Sequence, residues 1–298
     1  MLRSPQHTLD VKNIRRSVVS IALAAVVILI WPLTGLAATD PGLASAGNFA
    51  VLSGAGLTNT GPSWITGAIG ASSAGITGFP PGTAGPQHVG DSTYTVAETD
   101  LVTAYNNATQ PTTTDYTGVN LGGLTLGPGV YNQTTAPTLT GTLVLDGGGS
   151  TTGVWIFRAG STLVTASGAR VTLINGAQPC GVFWQVASSA TLGTSTTFVG
   201  TIMAVAGIQM QTGATLNGRA LARTAAVTLD TNRIIQPSGC GYAVPGYVPP
   251  PVGNVLPATL GVPWELRGGF PWLILLGVGA GLGVTALSLG ARRRRRSA

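Results

Sequence analysis

The sequence predicts an all-β domain with one α-helix, whose strands wind into a β-solenoid of about 18–19 residues per coil. One observation is a repeat of threonines, each two positions after a large apolar residue: Thr165, Thr194, Thr212 and Thr231. Another is a repeat of bulky apolar residues within β-rich stretches: Phe157, Trp184, Ile202 and Leu221. A third is glycine, at 44 of 298 residues, which supplies turns between short strands.

Both repeats have nearly the same spacing. The last three members of each are 18 and 19 residues apart, and the longer first gap of the threonine repeat holds an insertion around residues 175–181. Such coils fit three faces of roughly six residues each, with apolar side chains inward and threonine, serine and alanine outward. A β-sandwich would instead show strands every 8–12 residues or so, without residue identity between turns.

Residues 92–109 break the β pattern and predict the helix. Leu101, Ala104 and Ala108 lie near helical spacing, acidic residues come early, and Pro111 follows the segment. This pattern indicates an amphipathic helix of roughly four turns, packed by its apolar face along the solenoid. Residues 47–72 can supply strands that close one end of the coil, where an open edge would expose unpaired backbone.

The two cysteines, Cys180 and Cys240, predict a disulfide if the chain is exported. The bond would close a loop of about 60 residues, worth on the order of 4 kcal/mol by the chain-entropy argument. It would fix the insertion loop to the C-terminal end of the coil. Two free buried thiols are the alternative.

The N-terminal segment predicts export. Residues 1–16 are basic, residues 18–36 are apolar, and small residues follow, so residues 1–38 are interpreted as a signal peptide. An uncleaved membrane anchor and twin-arginine export are the alternatives. The solenoid domain is then residues 39–241.

The C-terminal segment predicts an anchor. Residues 242–269 form a proline-rich, extended stalk, and the uncharged residues 270–291, about 33 Å long as a helix, suffice to span a bilayer. The arginine-rich residues 292–298 should remain cytoplasmic, which places the domain on the extracellular face of the membrane or in the cell wall. Leu256, Pro257 and Thr259 resemble a sortase sorting signal, with Leu260 where that signal has glycine.

Charge and composition exclude several functions. The chain has a net charge of +6, but between Thr39 and Val244 five arginines face seven acidic residues, a net charge of −2. No basic stripe therefore remains there to bind nucleic acid. His88 is the only histidine after residue 38, and no spacing indicates a metal site, a catalytic centre or a phosphate-binding loop. We expect a non-catalytic protein without a cofactor.

Several long stretches resemble the bacterial and fungal ice-binding protein family. They include "AGNFAVLSGAGLTNTGPSWITGAIG", "DLVTAYNNA", "VWIFRAGSTLVTASGA" and "TGATLNGRALARTAAVTLD", and they follow one another nearly without gaps from about residue 43 to 235. The resemblance implies a discontinuous, three-sided, right-handed β-solenoid with a long α-helix alongside. For function it implies adsorption to ice.

The resemblance also implies an ice-contacting motif, Thr-Ala/Gly-x-Thr/Asn. Residues 212–215 match it, and residues 194–197 match it with serine in the second place, whereas Arg233 would interrupt a flat surface. The predicted ice-contacting residues are Thr165, Ser167, Thr194, Thr196, Thr197, Thr212, Thr215 and Thr231. Stacked strands would space them about 4.7–4.9 Å apart, so their methyl and hydroxyl groups would order water at a fixed repeat.

A second interpretation remains open. Threonine is a common strand residue, so the same solenoid could serve as a surface adhesin or a structural wall protein without ice activity. The two functions predict different surfaces. Ice adsorption needs a flat, uncharged threonine surface, whereas adhesion predicts an aromatic or charged pocket.

Overall fold

A computed structural model of the chain describes residues 37–238. These residues form 21 β-strands, numbered in chain order, one α-helix, α1 (Ser92–Asn107), and two short 3-10 helices, Ala44–Asn48 and Pro179–Gly181. Every pair of neighbouring strands is parallel. The strands stack into three faces, as the predicted solenoid requires.

The helix face lies under the helix and carries seven strands: β1 (Phe49–Ser53), β4 (Ala68–Ala71), β6 (Gln87–Val89), β7 (Thr114–Asp115), β9 (Gly129–Gln133), β12 (Trp155–Ala159) and β15 (Val182–Val186). The narrow face is built of short strands: β2 (Leu57–Thr60), β5 (Ile76–Thr77), β10 (Thr138–Leu139), β13 (Leu163–Thr165), β16 (Ala190–Leu192), β18 (Ile208–Met210) and β20 (Val227–Asp230). The broad face holds the remainder: β3 (Trp64–Thr66), β8 (Thr125–Leu126), β11 (Thr142–Asp146), β14 (Arg170–Ile174) and β21 (Arg233–Ile235).

Two long strands, β17 (Thr197–Ala204) and β19 (Thr215–Ala222), run from the broad face round a corner onto the helix face. Both turn that corner at a glycine, Gly200 in β17 and Gly218 in β19. A Cβ on Gly218 would lie 1.9 Å from the carbonyl oxygen of Gly200. Only glycine therefore permits the two backbones to approach this closely.

The order of coils in space differs from their order in the chain. Strand β1 lies between β19 and β4, and β2 lies between β20 and β5. The coils of residues 49–89 therefore stack on the last coil of the domain. Helix α1 leads the chain back, and β7 pairs with β9 at the opposite end. This arrangement confirms a discontinuous solenoid, with residues 47–72 near one end.

Helix α1 begins and ends close to the predicted bounds of 92–109. The side chain of Asp91 accepts a hydrogen bond of 2.8 Å from the backbone N–H of Tyr94, which caps the first turn. Tyr94, Ala97, Leu101 and Ala104 form the buried stripe at helical spacing. The stripe packs on outward side chains of the helix face, including Leu52, Ile156, Phe183, Met203 and Leu221.

Aromatic rings stack inside the solenoid, one per coil. Neighbouring ring centroids are 4.1–5.8 Å apart along the series Tyr116, Tyr131, Phe157, Trp184 and Phe198. Phe157, Trp184 and Ile202 share one register row, as the apolar repeat predicts. The next member is Ala220 rather than Leu221, because this part of the coil is 18 residues long. The slip turns Leu221 towards the helix.

Several predicted features lie outside the described residues. These are most of the signal peptide, Cys240, the sorting-like residues Leu256, Pro257 and Thr259, and segments 242–269, 270–291 and 292–298. Cys180 is buried in the second 3-10 helix, and its pairing with Cys240 stays a prediction. Across residues 37–238, no helix is long and apolar enough to cross a membrane.

Glu98 gives the helix contact a pH dependence. Burial raises the pKa of its carboxyl group to about 7, while a hydrogen bond with Tyr94 and the charge of Arg223 act in the opposite direction. The folded protein therefore keeps a proton between roughly pH 4.5 and 7 that the unfolded chain releases, so stability falls as pH rises through this window. We expect Glu98→Gln to gain stability relative to the wild type at pH 8 but not at pH 4.

Urea unfolding of both proteins at the two pH values measures this effect. The relevant quantity is the difference between variant and wild type, because other groups titrate in both proteins alike. An equal difference in unfolding free energy at pH 4 and pH 8 would show that Glu98 does not hold the proton.

Candidate functional site

A row of seven outward-facing residues crosses the narrow face, one from each strand. In register order it consists of Thr138, Val164, Thr191, Gln209, Thr228, Thr58 and Thr77. We call this row the ladder. Five of its seven members are threonine and none is charged. At about 4.8 Å per strand, the ladder is roughly 29 Å long.

The strand sequences explain why these side chains point outward. In β16, β18 and β20 one polar residue stands between two apolar ones, as in Ala190-Thr191-Leu192. Alternate residues of a strand face opposite sides, so burial of the two apolar neighbours turns the middle residue to solvent. Six ladder members are exposed and Thr191 is partly buried.

A second row follows the corner between the narrow and broad faces. Its members are aligned by backbone hydrogen bonds between successive coils, such as Ser195 N–H to the Thr212 carbonyl at 3.1 Å and Gly213 N–H to the Asp230 carbonyl at 3.1 Å. This row, the edge row, consists of Ser167, Thr194, Thr212, Asp230 and Thr60. A shallow groove of about 360 Å³ separates it from the ladder, so the two rows border one surface.

Polar side chains of neighbouring coils hold the edge threonines. The hydroxyl of Thr212 donates a short hydrogen bond to the carboxylate of Asp230, which also accepts from Thr231 at 3.1 Å. Gln211 Oε1 accepts from the backbone N–H of Thr194 at 3.2 Å and from its hydroxyl at 3.4 Å. The edge row therefore has fixed side chains.

Two of the predicted ice-contacting residues are wrong. Thr165 is 3% exposed and Thr196 is fully buried, and their hydroxyls hydrogen-bond each other at 3.0 Å inside the solenoid. The insertion before β15 causes the error, because Leu163 aligns with Ala190 and Thr165 therefore occupies an inward position. A buried hydroxyl needs such a partner, and neither residue reaches a surface.

The other predicted residues fall on three sites. Ser167, Thr194 and Thr212 are exposed members of the edge row. Thr197 and Thr215 pair with each other as the first residues of β17 and β19 on the broad face, and both are partly buried there.

Thr231 is exposed but displaced by one residue. It has a left-handed backbone with φ of 53°, and Asp230 occupies the position equivalent to Thr212. The predicted alignment of Thr231 with Thr212 is therefore wrong by one residue. The coil that ends at this corner is 18 residues long, whereas the threonine repeat indicates 19.

The broad face is interrupted by charged and aromatic residues. Its row continues from Thr197 and Thr215 to Arg233 and Trp64, and Arg170 precedes Thr197. The guanidinium of Arg233 lies over the Trp64 ring, 4.8 Å from its centroid, and Trp64 is 45% exposed. Arg233 thus breaks this face, as the sequence predicts.

Other polar side chains have structural partners. His88 Nδ1 lies 2.8 Å from the carboxylate of Asp91, the residue that caps helix α1. The backbone N–H of Tyr94 and the His88 side chain lower the pKa of Asp91. Among residues 37–238, no three histidine, cysteine or acidic side chains are grouped to hold a metal ion.

Comparison with known proteins places this architecture. The profile of a family described as ice-binding-like matches residues 51–235. An ice-binding protein from Nostoc sp. (strain HG1) is 43% identical over 219 residues, which are 72% of this chain and 81% of the relative. An ice-binding protein from Flavobacterium frigoris (strain PS1) is 38% identical over 214 residues, which are 65% of this chain and 76% of the relative.

Solved structures agree. The ice-binding protein of the Antarctic ascomycete Antarctomyces psychrotrophicus matches with a TM-score of 0.64 and 42% identity, over 66% of this chain and 98% of that one. An ice-binding protein from an Antarctic biological consortium matches with a TM-score of 0.66 and 42% identity, over 69% and 95%. Both consist almost entirely of the matched domain, so this domain folds without flanking segments. From the profile match and these identities, the chain belongs to the ice-binding-like family.

Proposed function

We propose that the domain adsorbs to ice through the narrow face, with the ladder as its centre and the edge row as its border. The observation that carries the proposal is the ladder itself, seven uncharged residues in register from seven stacked strands. Each threonine presents one methyl and one hydroxyl at the spacing of the strands. Such a surface can hold water in a repeating arrangement that a growing crystal can incorporate.

The surroundings of the ladder favour the same function. Within residues 37–238, the hydroxyls of Thr58, Thr138, Thr191 and Thr228 have no protein hydrogen-bond partner and are free to bind water. The strands beneath them are fixed by buried residues such as Leu139, Leu192 and Val227. Charged groups hold their hydration water strongly, and the ladder contains none. A rigid, uncharged and regular surface loses little entropy when it binds a crystal.

Thermal hysteresis and recrystallisation inhibition by purified residues 39–244 test the proposal. We expect faceted crystals, a measurable gap between melting and freezing temperatures, and slow recrystallisation. Circular dichroism confirms that the sample is folded. A folded domain that neither shapes ice nor inhibits recrystallisation would refute the proposal.

The second candidate function is a non-catalytic adhesin or structural wall protein. The exposed Trp64 and the overlying Arg233 favour it, since an aromatic and charged groove is the feature that adhesion predicts. This groove lies on the broad face and measures about 380 Å³. Binding of the folded domain to isolated cell walls, without any effect on ice, would support this function instead.

We further propose that the chain works outside the cell and close to its surface. The support comes from the sequence: the signal-peptide pattern of residues 1–38, the proline-rich residues 242–269 and the apolar residues 270–291. The membrane would be one partner, and sortase and the cell wall would be others if the motif at residues 256–260 is recognised. Fractionation of cells with and without residues 270–298 tests this localisation.

A further inference from the structure

We propose that Asp230 and Gln211 are positioning residues for the ice surface, an inference that rests on the proposed function. They accept the hydroxyl protons of the edge threonines and so fix which atoms those threonines present to water. Asp230 holds Thr212 and Thr231, and Gln211 holds Thr194. The edge row thereby becomes a row of hydrogen-bond acceptors with fixed geometry.

The first step concerns the hydroxyl groups. A threonine hydroxyl has one donor proton and two acceptor lone pairs. An ionised carboxylate only accepts, so Thr212 must donate its proton to Asp230. The remaining lone pairs of Thr212 Oγ1 face solvent and can only accept from water. The same holds for Thr194, whose proton is directed at Gln211 Oε1.

The second step concerns rigidity. Asn232 is 2% exposed, and its amide donates to the carbonyls of Gln211 at 2.8 Å and Ala214 at 3.1 Å. Its Oδ1 accepts from the backbone N–H of Asp230 at 2.7 Å. The backbone that carries both positioning residues is thus held by a buried side chain. A β-branched threonine with its hydroxyl bonded has one favoured rotamer, so its methyl group also has a fixed direction.

The third step concerns the charge. Asp230 is the only charged residue in either row, and an unpaired carboxylate would retain liquid water beside the crystal. Two hydroxyl donors from the protein instead occupy its oxygens. Two opposite expectations follow for the loss of this side chain. If Asp230 positions threonines, its removal weakens ice binding; if it is only a charged interruption, its removal strengthens ice binding.

Thermal hysteresis of Asp230→Ala decides between them. We expect a decrease of about twofold or more, the size that lost order of one or two side chains produces. Asp230→Asn should retain part of the activity, because its amide oxygen can still accept one hydroxyl. Asp146→Ala, which removes the same charge from the broad face, is the matched control and should leave hysteresis unchanged. Equal or higher hysteresis for Asp230→Ala would overturn the inference.

Nuclear magnetic resonance provides a readout that does not depend on ice. Hα–Hβ couplings should report one rotamer for Thr194 and Thr212 in the wild type. Asp230→Ala should average the coupling of Thr212 alone, and Gln211→Ala that of Thr194 alone. Unchanged couplings would refute positioning even if ice activity changed. A wild type with fixed couplings but without hysteresis would instead refute the proposed function.

Discussion

Thr228→Tyr is expected to abolish thermal hysteresis, reducing it by about tenfold or more. Thr228 lies within the ladder between Gln209 and Thr58, beside the groove that borders the edge row. A tyrosine ring would stand above the plane of the neighbouring threonines and hold the crystal away from several of them at once. Loss of only about 1.4 kcal/mol of adsorption free energy suffices for a tenfold weaker interaction.

Two tyrosine variants control for the size of the new side chain. Thr103→Tyr places it on the exposed side of helix α1 and should retain full hysteresis. Thr215→Tyr places it on the broad face and should have a much smaller effect than Thr228→Tyr. A larger loss for Thr215→Tyr would transfer the ice surface to the broad face. Exposed substitutions of this kind should alter unfolding free energy by less than about 0.5 kcal/mol.

Trp184→Ala is expected to destabilise the domain by about 3–5 kcal/mol. Trp184 is 1% exposed, and its ring centroid lies 4.1 Å from that of Phe157 and 4.8 Å from that of Phe198. Its Nε1–H donates to the carbonyl of Val199 at 3.0 Å. The substitution therefore opens a cavity across two coils and also leaves a buried carbonyl without that donor.

Denaturant unfolding measures this loss, with Trp64→Ala as the matched control. Trp64 is 45% exposed, so its removal costs mainly the contact with Arg233, about 0.5–1 kcal/mol at an exposed site. Similar losses for both variants would contradict a continuous aromatic interior. A smaller but distinct loss for Trp184→Ala would indicate that neighbouring coils relax into the cavity.

Most of the fold could be predicted from the sequence because the relevant signals are local and repeated. The apolar repeat marks the rows of the interior, and Phe157, Trp184 and Ile202 do share one row. The helix was predictable because its buried stripe has helical spacing and Pro111 follows it. The single slip, Leu221 for Ala220, arises because coils of 18 and 19 residues alternate along one chain.

The candidate site was harder to predict, because a threonine has no fixed direction in a sequence repeat. Thr165 and Thr194 look alike in sequence, each two positions after leucine, yet the first is buried and the second exposed. An insertion between their coils moves Thr165 into register with inward residues. Repeat spacing alone cannot show on which side of a corner the extra residues are accommodated.

The ladder escaped the sequence repeat for two reasons. Val164 and Gln209 interrupt its residue identity, so its members do not match one another letter for letter. Thr58 and Thr77 come from the N-terminal coils, which stack on the end of the chain. A local signal did exist, since polar residues between two apolar ones recur at 191, 209 and 228.

Partition into growing ice tests the central claim most directly. Equal amounts of wild-type domain, Thr228→Tyr and Thr103→Tyr, each with a different fluorophore, are mixed, and an ice crystal is grown slowly from the solution. If the narrow face adsorbs to ice, wild type and Thr103→Tyr enter the crystal together and Thr228→Tyr remains in the liquid. Equal incorporation of all three, or exclusion of all three, would contradict this account.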